Sequence, residues 1–228
     1  MAALGVNEEE RMERLLRVGT CLAMCGYGAQ VGALAGTARA FSADKQLWAA
    51  HARHRGPRGR SCLMYAARSK GSLGRVRFLV LRGAAVDAAD ASGTTALIEA
   101  SRRGRLPSVR FLLEQPGAAV NAGLVNNGRT ALMVACYNGH METVRCLVER
   151  GGANVNAART TDSQTALMSA SYKGHLEIVR CLVERGGANV NAVRTTDGQT
   201  ALMFASLSGH LETVRFLVEH EWNMKLPM

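Results

Sequence analysis

The sequence predicts an all-α chain: a solenoid of stacked helix–turn–helix units with projecting loops or short hairpins, preceded by a small helical N-terminal region. Three observations predict it. Closely similar segments recur at a fixed period near 35 residues, and a period of that length specifies a stacked array. The composition is rich in Ala, Gly, Leu and Val with only 5% aromatic side chains, which suits helices packed closely through small residues and suits β-sandwiches poorly. Four prolines in 228 residues leave long stretches free to be helical.

The elements follow in order. Residues 1–58 differ from the rest. Glu8 to Cys25 is expected as one helix, Gln30 to Ala40 as a second, and Ala43 to His54 as a third capped by Ser42. One reading of this region is a helical cap that shields the first repeat from water. The other rests on VGALAGTARAFSADKQLW, which resembles the latter half of an F-box. Val31, Leu34, Ala38, Phe41, Leu47 and Trp48 fill its apolar places, with Arg39 and Asp44 also matching; the opening Leu-Pro is missing. That resemblance implies a ubiquitin-ligase subunit as partner through residues 1–58, and a substrate adaptor as the function. The linker His54-Arg55-Gly56-Pro57-Arg58 leads into the repeats.

GRTALMVACYNGHMETVRCLVERGGANVNA from Gly128, SQTALMSASYKGHLEIVRCLVERGGANVNA from Ser163 and GQTALMFASLSGHLETVRFLVE from Gly198 align with starts 35 apart. GTTALIEASRRGRLPSVRFLLEQPGAAVNA from Gly93 joins them, and GRSCLMYAARSKGSLGRVRFLVLRGAAVDA from Gly59 starts 34 before it. The units are therefore 59–92, 93–127, 128–162, 163–197 and 198–228, the last cut short. At that end, either Phe204 and Phe216 meet solvent or the chain is a piece of a longer array.

Within a unit, Thr130, Thr165 or Thr200 caps a first helix with its hydroxyl, and Ala131-Leu132-Met133 and their equivalents give the apolar face. Gly139, Gly174 or Gly209 ends it. In the second helix Met141, Val144, Leu147 and Val148 share one face. Gly151-Gly152 closes that helix. The chain is then expected to run extended through Val155-Asn156 to a polar tip at Arg159-Thr160-Thr161-Asp162. Such units cannot bury their apolar faces alone, so stacking is required.

This pattern resembles the ankyrin repeat: its T-P-L-H, A-x-x-G-H and G-A-x-V-N-A elements stand here as TALM, ASYKGH and GGANVNA. Ala131, Ala166 and Ala201 (Cys62 in the first unit) replace the family's Pro. Met133, Met168 and Met203 replace its His, so packing is expected in place of that residue's hydrogen bonds between repeats. The resemblance implies a protein–protein interaction scaffold or adaptor that uses its concave surface. Carried over residue by residue, that surface holds Arg102, Arg103, Tyr137, Asn138, Tyr172, Lys173, Leu207 and Ser208, flanked by Glu99, Val134, Ser169 and Phe204. Arg129, Arg159, Gln164, Arg194 and Gln199 lie on or near the tips. Tyr and Arg are favoured as interface anchors. Asn121, Asn156 and Asn191 resemble the asparagines that oxygen-dependent hydroxylases modify in some ankyrin proteins; bonding to the loop backbone is the competing role.

His140, His175 and His210 fall on the family's structural Gly-His turn. No carboxylate or Cys accompanies them at a useful spacing, so neither catalysis nor metal binding is expected of them. No nucleotide fingerprint or Ser/His/Asp arrangement is present, and neither enzyme activity nor a cofactor is expected. Arg77, Arg110, Arg145, Arg180 and Arg215 form a ladder. The last four have Glu114, Glu149, Glu184 and Glu219 four residues on, the spacing of a solvated helix-surface pair.

Six cysteines occur. Cys146 and Cys181 take equivalent places in apolar runs, as small buried hydrophobes do. With no N-x-S/T site, the chain is expected in a reducing compartment, cytoplasmic or nuclear. The uncharged run Val18 to Ala38 has few strong hydrophobes and is broken by Gly26-Tyr27-Gly28, so no membrane span is expected. Residues 1–127 hold 18 of the 28 basic side chains and 9 of the 18 acidic ones. That excess raises nucleic-acid binding through Arg53, Arg55, Arg58, Arg60, Arg102 and Arg103, although no groove-reading motif accompanies it.

Overall fold

The computed structural model describes residues 55–71 and 73–223. Five helix pairs follow one another there: α1 (Cys62–Arg68) and α2 (Leu73–Leu81), α3 (Ala96–Arg102) and α4 (Leu106–Leu113), α5 (Ala131–Tyr137) and α6 (Met141–Glu149), α7 (Ala166–Lys173) and α8 (Leu176–Arg180), α9 (Ala201–Leu207) and α10 (Leu211–Asn223). A π-helical turn, Cys181–Arg185, extends α8. The cap and F-box-like readings both rest on residues 1–54, which lie outside the described residues, as do Val18 to Ala38. No described helix is long and apolar enough to cross a membrane.

Each first helix starts on a hydroxyl. Ser61, Thr95, Thr130, Thr165 and Thr200 accept from the N–H groups of Met64, Ile98, Met133, Met168 and Met203 at 3.3–3.4 Å. Each such cap contributes about 1 kcal/mol. Gly139 (φ 75°) ends the first helix of its unit in the left-handed region, and glycines at 104, 174 and 209 repeat the device.

The first helices pack in succession against one another, and the second helices do the same behind them. Leu132, Met133, Leu147, Leu167, Met168 and Leu182 are buried almost completely between these layers. Met133 and Met168 (1% and 0% exposed) substitute packing for the family's His, as expected, whereas Met203 in the last described pair is 50% exposed. Phe204 and Phe216 do not meet solvent (6% and 4% exposed). Phe204 meets Tyr172 edge-on, and Phe216 stacks with His220. Among the described side chains of this pair, Met203, Leu207, Leu211 and Val218 are exposed apolar ones.

Two expectations are corrected. Val155-Asn156 is a turn rather than an extended run: the Asn154 side chain accepts from the Asn156 N–H at 3.1 Å, and the Ala157 N–H bonds back to the Asn154 carbonyl. This Asx geometry turns Val155 into the core, where it is 7% exposed. The second correction concerns the arginine ladder. Arg145 and Arg215 pair with Glu142 and Glu212, three residues earlier, because helical side chains lean toward the N-terminus. Glu149 instead meets Arg185 of the next unit, and Arg77 and Arg180 lie over the rings of Phe111 and Phe216, one unit on.

Loops also join the units. The N–H groups of Ala91, Val125, Thr160 and Thr195 donate to the carbonyls of Arg58, Ser92, Asn127 and Asp162 of the preceding loop, at 2.9–3.1 Å. Single antiparallel bridges, Gly123 with Thr130 and Ala158 with Thr165, close two of these loops as short hairpins.

Candidate interaction surface

The C-terminal ends of the first helices and the loop tips bring several of the sequence-selected residues together. Tyr137 closes α5 and Tyr172 lies one residue from the end of α7; they are 37% and 46% exposed. The Lys173 ammonium sits over both rings, 4.5 Å from the Tyr137 centroid and 5.4 Å from that of Tyr172. From the loop before α5, the Arg129 guanidinium covers the same Tyr137 ring at 5.1 Å. Tyr172 continues the strip edge-on to Phe204 at 6.2 Å, and Arg194 caps Phe204 at 4.7 Å. An unbroken run of cations and rings, Arg129–Tyr137–Lys173–Tyr172–Phe204–Arg194, thus crosses three units. Cation–π contacts of this kind are worth about 0.5–1 kcal/mol each where exposed.

The remaining candidates frame the strip. Arg102 pairs with the buried Glu99 at 2.7 Å, and its neighbour Arg103 is exposed. Asn138 caps α5, its Nδ2 donating to the Val134 carbonyl at 2.7 Å. Leu207 is 71% exposed, and Ser208 caps α9. At the tips, Arg159 and Arg194 are each neutralised by the Asp three residues on, Asp162 and Asp197, and each also donates to a glutamine, Gln164 or Gln199. The sequence places Asp162 in the polar tip, but neither it nor Asp197 was among the selected surface residues, although the Arg-x-x-Asp spacing was readable.

Charge on the strip is uneven as a result. The bond from Arg194 holds the Asp197 carboxyl below the usual carboxylate range. Burial, together with the positive charges of Arg159 and Arg102, pulls Arg129 below ordinary guanidinium basicity, although it stays cationic.

His140 and His210 are structural, as expected: each places Nε2 3.1 Å from a carbonyl of the preceding unit, Arg102 and Tyr172 respectively. Asn121 accepts from the Asn154 N–H, and Asn156 accepts from the Asn189 N–H while donating to the Gly187 carbonyl. Asn121, Asn156 and Asn191 are all exposed residues. The nucleic-acid candidates Arg55 and Arg60 are engaged internally, by the Gly59 and Ala89 carbonyls and by Asp90. Arg53 lies outside the described residues. Among the described residues, no group of three or more His, Cys, Asp or Glu side chains is placed to hold a metal ion.

The family model described as ankyrin repeats (3 copies) matches residues 43–123, 63–159, 119–194 and 152–227. A comparison with curated proteins found no match.

Proposed function

The chain belongs to the ankyrin-repeat family, whose units are protein-interaction modules, and from that premise we propose that it is a scaffold or adaptor gripping a protein partner along the cation–aromatic strip. The observation that carries this reading is the exposed Tyr137–Lys173–Tyr172 cluster on α5 and α7, backed by the buried Phe204 ring of α9. Tyr137 and Tyr172 stay 37% and 46% exposed with Lys173 and Arg129 stacked on their rings. Rigid aromatic side chains beside cations are the usual anchors of protein interfaces, because they offer large contact area at low entropic cost.

Affinity purification on the immobilised chain, followed by identification of the bound proteins, supplies the partner. Its dissociation constant is then compared between the parent chain and the Tyr137→Ala, Tyr172→Ala double variant. Loss of roughly tenfold or more in affinity is expected if these are anchors. Unchanged affinity would place the partner elsewhere and end this reading.

A further inference from the structure

The strip differs from unit to unit in a way that specifies the chemistry of what it holds. In the loops before α7 and α9, the pairs Arg159–Asp162 and Arg194–Asp197 cancel. In the loop before α5, Leu124 stands where those loops have Arg, Asn127 stands where they have Asp, and Arg129 stands where they have Gln164 and Gln199. Asn127 keeps the turn, its Oδ1 accepting from the Arg129 N–H at 3.1 Å just as Asp162 accepts from Gln164. The loop geometry therefore survives while its side-chain charge changes from zero to positive. Lys173 adds a second cation one unit on, over the ring that Arg129 also covers, and exposed Arg103 adds a third one unit back.

We propose that this surface binds an extended acidic segment of a partner protein, with carboxylates meeting Arg103, Arg129 and Lys173 and apolar side chains lying on Tyr137 and Tyr172. The proposal rests on the interaction-surface reading above and adds the partner's chemistry. Packed helices stand roughly 8–10 Å apart. An extended chain advances about 3.3 Å per residue, so acidic residues three apart keep step with successive units. A peptide fits better than a nucleic acid because the tip charges cancel at Arg159–Asp162 and Arg194–Asp197, which leaves discrete cations rather than the continuous positive track that a phosphate backbone needs.

A random 16-residue peptide library displayed on phage, selected against the full chain, tests this. Enriched clones are expected to carry Asp or Glu at three-residue spacing with apolar residues between. As synthetic peptides they should bind less tightly as salt rises. Lys173→Glu and Arg129→Gln should each weaken them roughly tenfold, the scale of a lost charge-assisted contact. Lys173→Gln, which removes the charge without reversing it, should give a smaller loss than Lys173→Glu in the same direction, and unchanged thermal melts show that all three variants fold. Enriched peptides without acidic residues that are lost on Tyr137→Ala with Tyr172→Ala overturn the acidic-partner inference and leave the surface reading standing. Peptides insensitive to all of these substitutions, or no enrichment above background, overturn both. A 12-nucleotide single-stranded DNA binding more tightly than the best peptide at equal salt also overturns the inference.

Discussion

The imidazole of His175 covers Gly139 of the preceding unit so closely that a β-carbon added to Gly139 would stand 2.7 Å from its Cε1. Gly139 is also left-handed, so Gly139→Ala combines backbone strain with a collision and is expected to cost about 2–4 kcal/mol in urea unfolding. Gly152→Ala is the control. It has φ 61° with nothing within 4 Å of the added carbon, and should show the strain alone, about 1 kcal/mol. Equal losses at the two sites would mean the ring contact contributes nothing.

Met168 and Met203 occupy the same place in successive units but differ in burial, 0% against 50% exposed. Met168→Ala opens a cavity and should cost about 2–4 kcal/mol, and Met203→Ala less than about 1 kcal/mol. Denaturation midpoints of the two variants measured side by side decide this; similar losses would contradict the burial difference.

Asn156 makes two bonds to the following unit, at 2.8 Å to the Asn189 N–H and 3.1 Å to the Gly187 carbonyl. Asn156→Ala should lose about 1–2 kcal/mol. Hydrogen exchange should quicken at the Asn189 amide in that variant, because the amide loses its acceptor. Exchange at Asn189 unchanged from the parent would show that the side-chain bond does not protect it.

Asp90 links the first loop to Arg60, and its side chain is 2% exposed. Burial acts to raise its pKa, but bonds from the Ser92 hydroxyl, the Thr94 and Ser92 N–H groups and Arg60 outweigh it and hold the carboxyl below its ordinary value. A depressed folded-state pKa stabilises the fold at pH above the unfolded value near 3.8, and that contribution is lost as pH falls through the lower folded value. Asp90→Asn should therefore be less stable than the parent at pH 7 by about 1–2 kcal/mol, with the gap closing below pH about 4. A gap that stays constant from pH 7 to pH 3 would mean ionisation of Asp90 plays no part.

Much of this was legible in the residues because the relevant interactions are local and periodic. A Thr three positions before an apolar residue, a Gly at a helix end and a His beside it each report a backbone requirement that recurs every unit. The arginine ladder was less legible: sequence spacing shows a neighbour at i+4, but not that Phe111, Phe216 or Arg185 of the next unit competes for the same side chain. Val155 illustrates a second limit. Its β-branched side chain beside Asn156 suggests an extended run, yet Asn154 supplies an oxygen that folds the chain into a turn. On the candidate surface the residue types were readable one by one, but the shared stacking of Arg129 and Lys173 on Tyr137 depends on how two units meet.

Two kinds of bond that join neighbouring units keep constant offsets from 93–127 onward. Asn154 reaches Asn121 and Asn189 reaches Asn156 across 33 positions, while His140 reaches Arg102 and His210 reaches Tyr172 across 38. A block such as 163–197 is therefore interchangeable with its neighbour: excise it, and His210 finds the Tyr137 carbonyl where Tyr172 had been. The seams from 93–127 onward carry the same kinds of bond, so the array can gain or lose whole modules there by recombination while the surface side chains diverge independently in each.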